Sequence, residues 1–234
     1  MIFYSQLFVD SFNSYIRMDI LGKLFGSESK VKIMRLFLFN PETPFTKEDV
    51  AERARVSVAL ARHELALLRK MRLIKNKAFV KRVVRKSGKK NTFVREKVGG
   101  SILSPAFPYL AELERLLLDT SLLRGDEIIR KVAKAGKLKL VIVAGVFIQN
   151  QDSRVDVLVV ADHLRRGTLE TVVRTLESEI GKELQYAAFE TSEFNYRLGM
   201  YDKLVRDILD FPHKTILDKI GLPPMGEVTR GAQG

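Results

Sequence analysis

The sequence predicts an α+β chain in two parts: an N-terminal helical unit ending in a basic β-hairpin, and a small C-terminal α/β unit. Three observations carry this. Apolar residues recur at spacings of three and four between Ser27 and Lys70, as helices with one buried face require. The period then changes to β-branched, imperfectly alternating residues on both sides of Ser87-Gly88-Lys89-Lys90, a turn signal between two strands. Beyond Gly125, short and nearly uniform apolar runs such as KLKLVIVAG and RVDVLVVAD alternate with helical stretches, the pattern of strands buried on both faces.

Composition narrows the classes. The chain has 234 residues, 46% hydrophobic and 29% charged, which suits one or two domains with a real core and excludes wholesale disorder. It contains no cysteine and three histidines, His63, His163 and His213, far apart in sequence. A disulfide framework and a thiolate zinc site are therefore excluded and a histidine-rich metal centre is not expected, in keeping with a reducing, cytoplasmic setting. No apolar run approaches the roughly 18 residues of a membrane span, so no membrane partner is expected.

Taken in order, the first 16 residues, MIFYSQLFVDSFNSYI, lack a basic n-region and carry Asp10, a poor signal peptide. Two readings are open: Met18-Asp19 is the start and the stretch an upstream extension, or the stretch is a short helix packing on a partner protomer. Ser27 caps a first helix with Val31, Met34, Leu36, Phe37 and Leu38 toward one side, ended by Asn40-Pro41. Thr46 and Asp49 form a capping box for a second helix reaching about Ala54. After a tight turn at Arg55-Val56, Ser57 caps a third, with Val58, Ala61, Leu65 and Leu68 on its buried face. Strands are expected over 75–86 and 91–97, with Gly99-Gly100 closing the unit. Pro105 and Pro108 precede the helix AELERLLLDTSLL, a connector or dimerisation helix. The second half reads helix 126–135, strand 138–144, strand 155–161, helix 168–180, strand 184–189, one long helix 193–209, and a last short helix in FPHKTIL. The domains expected are an extension (1–25), a helical unit with a basic hairpin (26–98), a connector (99–125), an α/β unit (126–222) and a frayed tail (223–234).

Charge is concentrated. The net charge is +12, and residues 1–120 account for +11 of it. Between Arg69 and Lys97 stand 13 basic residues and one acid, Glu96. A single-sign field of that density is the footprint of a polyanion partner.

The segments TKEDVAERA, SVALARHELALLRKMRLI and the basic hairpin together resemble the winged helix-turn-helix domain of transcription regulators of the arsenic-repressor type, over residues 27–98. That resemblance implies a third helix lying in the major groove of double-stranded DNA, with the hairpin as the wing. Its exposed N-terminal positions are Ser57, Ala59, Arg62, His63 and Ala66. Arg62 is the candidate guanine contact, since guanidinium matches the O6/N7 acceptor pair. Arg69 and Lys70 lie nearer the phosphates. Lys81, Arg82, Arg85, Lys86, Lys89 and Lys90 would follow the backbone or the minor groove, giving affinity with little sequence information. Phe79 and Phe93 are expected to pack the hairpin, which weighs against single-strand or RNA stacking; an acidic protein partner is the other alternative.

Residues 126–212 resemble a minimal nucleotidyltransferase domain of the DNA polymerase β superfamily, whose Gly-Ser turn and Asp-x-Asp strand hold divalent metal against nucleotide phosphates. Gly145 keeps the glycine, but Val146 replaces the serine, Arg154 replaces the first aspartate, and only Asp156 remains. The strand LQYAAF has no internal carboxylate, with Glu190 just past it and Asp152 upstream in the loop. The expectation is a degenerate domain with no metal, no cofactor and no catalytic residue. Gly145, Arg154 and Asp156 are its candidate ligand site, either for a nucleotide effector bound through Arg154 or as a mutual or neighbouring ion pair.

The reading as a whole is a DNA-binding transcription regulator acting as a homodimer, its second part serving dimerisation or ligand sensing. Its rivals are an active nucleotidyltransferase that docks through the winged helix, and an antitoxin-like partner of another protein.

Overall fold

The computed structural model describes residues 20–87, 90–118, 125–150 and 152–222, with backbone only for 84–87 and 90–92. The expectations for the first 16 residues, Gly88-Lys89, the end of the connector helix and the tail lie outside these residues. Within them the chain is a mixed α+β fold with a two-stranded and a four-stranded sheet. No helix there is long and apolar enough to cross a membrane. Described residues 21–118 and 177–182 form one compact unit, and 125–150, 152–176 and 183–222 another.

After a helical stretch that ends at residue 25, the first unit continues with three helices, α1 (Glu28–Phe39), α2 (Lys47–Ala54) and α3 (Val58–Lys70). Each opens on the expected cap: Ser27 Oγ accepts from Lys30 N at 3.2 Å, Thr46 and Asp49 close a reciprocal capping box, and Ser57 Oγ accepts from Leu60 N at 3.2 Å. Such caps satisfy backbone donors that a helix start otherwise leaves unpaired. Arg55 makes the tight turn between α2 and α3 with φ of +53°. The burial differs from a one-sided stripe in α1, which buries Ile33 through Leu38 without a break. Arg35 is included, its Nε donating to Leu117 O and its Nη1 to Glu179 O, both at 2.9 Å. Burial lowers the Arg35 pKa, against the pull of Glu179. Phe37 meets Phe45 edge to face at 5.7 Å, while Val50, Ala54, Leu65 and Leu68 fill the rest of the core.

In α3 the buried face is Ala61, Glu64, Leu65 and Leu68; Val58, expected there, is 41% exposed. Val58 sits in the first turn, ahead of the point where the helix meets its neighbours. Glu64 is buried instead, its carboxylate 3.8 Å from Lys30 Nζ.

The hairpin is longer than expected. β1 (Ile74–Ser87) and β2 (Lys90–Leu103) pair antiparallel from Ile74↔Leu103 to Ser87↔Lys90. Gly99-Gly100 therefore does not close the unit but lies within β2. The reason is long-range: Ser101 exchanges both backbone bonds with Phe45, at 2.8 and 2.9 Å, and a Cβ on Gly100 would stand 2.5 Å from Phe45 O. Helix α4 (Leu110–Leu117) follows, buried through Leu117.

The second unit starts with α5 (Gly125–Val132), shorter than the expected 126–135 because Ala133–Ala135 is a 3₁₀ turn. Its sheet runs β5-β4-β3-β6, formed by β3 (Lys137–Val143), β4 (Val157–Asp162), β5 (Tyr186–Glu190) and β6 (Lys214–Asp218). β4 is antiparallel to β3 and parallel to β5, the crossover carrying α6 (Arg166–Ile180). Leu140, Ile142, Leu158 and Val160 of the central strands pack with Phe189, Phe194, Val205 and Ile208.

Two expectations fail here. The long helix 193–209 is two, α7 (Thr191–Gly199) and α8 (Lys203–Asp210). Tyr201 turns left-handed at φ of +53°, and Asp202 caps the new helix by accepting from Val205 N at 3.1 Å. The stretch FPHKTIL does not form a helix; it contains most of β6, which pairs antiparallel with β3. Without it the second edge of β3 would be left unpaired, a backbone cost that a short helix could not offset.

Candidate nucleic-acid interface

With Ala61, Glu64, Leu65 and Leu68 turned inward, α3 presents Ala59, Arg62, His63, Ala66 and Lys70 outward, all exposed. Their spacings of three and four place them on one stripe of the helix. Ser57, at its head, is exposed but spends its oxygen on the cap. The stripe holds two small residues flanking an arginine and a histidine, with a lysine one turn beyond, and no acid.

The other expected contacts divide. Arg69 is half-buried: its Nε donates to Leu65 O and its Nη1 to Asn76 Oδ1, both at 3.1 Å. It braces α3 against β1 through these two bonds. The Lys81 ammonium is paired with Asp49 of the α2 capping box. Burial disfavours the Asp49 carboxylate, but Lys81 and the Thr46 N–H and hydroxyl outweigh it and hold the pKa below its ordinary value. Lys81 is thus a tether between hairpin and helix. Arg82 is exposed, and its guanidinium lies 4.9 Å from the centre of the Phe93 ring. Arg85, Lys86 and Lys90 stand on paired strand positions, opposite Thr92, Asn91 and Ser87; their side chains, and Lys89 altogether, lie outside the described residues.

Register supplies residues that sequence reasoning left unnamed. Paired residues share a face of a hairpin, so Arg82 faces outward beside Arg95, and Val80 beside Lys97. All four are exposed. Lys75 and Lys77 are exposed on the other face. The signal was available in the alternation, once the strand is known to run past Gly99. At the root of the hairpin, a cleft of about 470 Å³ is lined by Lys47, Leu65, Arg69, Asn76, Lys77 and Ser101.

Phe93 overturns another expectation. Its ring meets the Arg82 guanidinium of the hairpin at 4.9 Å yet is 62% exposed. Phe79, on the opposite face, is half-buried beside Gly100.

In the second unit Gly145 and Asp156 do meet, and Arg154 does not join them. Gly145 turns at φ of +52°, and a Cβ there would stand 2.1 Å from Asp156 Oδ1. Asp156 is buried, Oδ1 accepting Val146 N–H and Oδ2 accepting Gln185 N–H, both at 2.8 Å. Arg154 Nε lies 2.7 Å from Asp207 Oδ2 of α8. Glu190 accepts Leu164 N–H at 2.7 Å, and Asp152 is exposed. Among the described residues no three acidic or histidine side chains gather as a cation cage, and both Asp156 oxygens already hold backbone donors. This donor set does not fit a pair of divalent ions. Asp156 is a clamp that fixes the Gly145 turn to the start of β5, and the pairing of Arg154 is the neighbouring kind. Comparisons of the chain with protein-family models, with curated proteins and with solved structures find no match.

Proposed function

We propose that the chain is a sequence-specific regulator of transcription, its first unit a winged helix that binds double-stranded DNA with α3 in the major groove and the hairpin as wing. The observation that carries this reading is the outward stripe of α3, Ala59, Arg62, His63, Ala66 and Lys70. A reading helix needs such a face: small residues permit close approach, Arg62 can form the bidentate guanine contact, and no carboxylate repels the groove. The exposed Lys75, Lys77, Arg82, Arg95 and Lys97 of the hairpin extend the same positive field toward phosphates.

The second unit serves, in this proposal, as a degenerate nucleotidyltransferase-like domain that joins two protomers or senses a ligand, without catalysis. Its support is the commitment of Asp156 to two backbone donors and of Arg154 to Asp207. Two-fold dimers of such regulators meet pseudo-palindromic sites with half-sites about one helical turn apart.

Footprinting of the purified chain on fragmented genomic DNA tests the reading. Protected sites sharing a two-fold sequence pattern are the expected result. A chain that protects no defined site, or that prefers RNA of equal length, would refute it.

A further inference from the structure

We infer that Phe93 is a wedge: the hairpin face that carries it enters the minor groove of duplex DNA and kinks the helix there. The inference rests on the duplex-DNA reading above and goes past it, from backbone contact to deformation.

Phe93 is 62% exposed and Val80 65%, on the face that also presents Arg82, Arg95 and Lys97. An aromatic ring held in water within a field of cations has no core to join. It lies three residues beyond Glu96, which is paired in register with the tethered Lys81, so about 10 Å past that tether at strand rise. The Lys81–Asp49 pair fixes the arm on its near side, and Arg82 lies over the ring at 4.9 Å, which restricts its rotamer.

These are the parts of a groove wedge. Apolar side chains of minor-groove binders part a base step, while neighbouring cations neutralise the phosphates that the kink brings together. Single-strand platforms differ in stacking successive bases on several aromatics. Here Phe79 lies on the opposite face, half-buried, and leaves Phe93 as the sole exposed ring of the described hairpin.

The test uses the full chain and a duplex taken from its footprint, with 2-aminopurine at successive steps and donor and acceptor dyes at the ends. Binding of the wild type should raise 2-aminopurine fluorescence at one step and shorten the end-to-end distance. Phe93→Ala should abolish both signals and weaken binding about tenfold, with the α3 footprint kept, while Phe93→Leu should retain most of the kink. Because the ring is exposed, the urea midpoints of these variants should match the wild type. If Phe93→Ala binds and bends as the wild type does, the wedge is refuted while the DNA reading stands. Tighter binding to the single strand than to the duplex, lost in Phe93→Ala, would also refute it in favour of a stacking surface. If the wild type binds no duplex, the parent reading falls and the wedge with it.

Discussion

Replacing Asp156 by asparagine keeps the volume of the side chain and changes only what its two terminal atoms can accept. In the native chain Oδ1 takes the Val146 N–H and Oδ2 the Gln185 N–H, each at 2.8 Å, in a residue 8% exposed. The amide retains one acceptor oxygen. Its NH₂ must then confront whichever backbone donor is left, the Val146 N–H in a buried bond or the Gln185 N–H in a part-buried one. A hydrogen bond to a charged acceptor contributes about 1.5–3 kcal/mol and a stranded donor costs about 1–3 kcal/mol. Part of the first is recovered by the remaining oxygen, so a net loss of about 2–4 kcal/mol is expected, a large share of a typical domain's stability. Urea denaturation of the full chain, followed by circular dichroism, should register this in the transition of the second unit. Hydrogen exchange localises it: the Val146 and Gln185 amides should lose protection by about 30-fold or more. Gly145→Ala should fail in the same place, since its Cβ would stand 2.1 Å from Asp156 Oδ1. If Asp156→Asn leaves the midpoint and both amides unchanged, the clamp is disproved. Should it instead abolish a magnesium-dependent turnover of ATP at unchanged stability, Asp156 is a metal ligand and the proposed absence of catalysis is wrong.

Three further outcomes follow from the first unit. Arg62→Ala should relax sequence preference at one base pair by about 1–3 kcal/mol, as competition binding against single-substituted sites would show; uniform weakening over all sites would make Arg62 a phosphate contact. If the proposed DNA complex neutralises roughly six phosphates per protomer, log K should fall against log salt with a slope near −5. Arg95→Ala with Lys97→Ala should flatten that slope by about one to two units while leaving preference unchanged. Asp49 has a folded pKa below its unfolded value of about 3.9. Its contribution to stability is therefore complete above that value and lost as pH falls through the folded one. Lys81→Met should lower stability above pH 4 and flatten the acid side of the pH–stability profile, the two curves converging once Asp49 is protonated; a profile that matches the wild type above pH 4 and through the acid fall would show that the tether does not hold in solution.

How much of this was legible in the sequence depended on how far each determinant reaches along the chain. The caps at Ser27, Thr46 and Ser57 act within three residues, and so could be read directly. Gly99-Gly100 looked like a boundary because glycine pairs mark turns; the strand continues to Leu103 because Phe45, more than fifty positions earlier, pairs with Ser101. The same holds for β6, whose local sequence did not declare a strand and whose formation depends on the open edge of β3. For the candidate site, counting cations located the surface without sorting its members. Nothing local separates Lys81, tethered to Asp49, from its exposed neighbour Arg82, and nothing in ALLRKMR says that Arg69 turns back to Leu65 and across to Asn76. Asp156 was correctly set beside Gly145, but a carboxylate that holds metal and one that holds backbone look alike until the partners on Val146 and Gln185 are seen.

The hairpin carries two local costs that the proposed partner would remove. Arg82 stands directly opposite Arg95, and directly opposed like charges on a sheet cost a few tenths of a kcal/mol up to about 1 kcal/mol. A sequence tuned only for hairpin stability would place an acid at one of the two positions, as it does where Glu96 stands opposite Lys81. The ring of Phe93 relieves part of this strain by taking Arg82 on its face, yet that leaves a large apolar group in water, itself unfavourable. In the proposed reading these two local costs, each partly answering the other, would be removed together by one class of partner: one with negative charge along its edges and flat apolar surfaces between them. Duplex DNA has both, in phosphates spaced along each groove wall and in base faces reached where a step is parted.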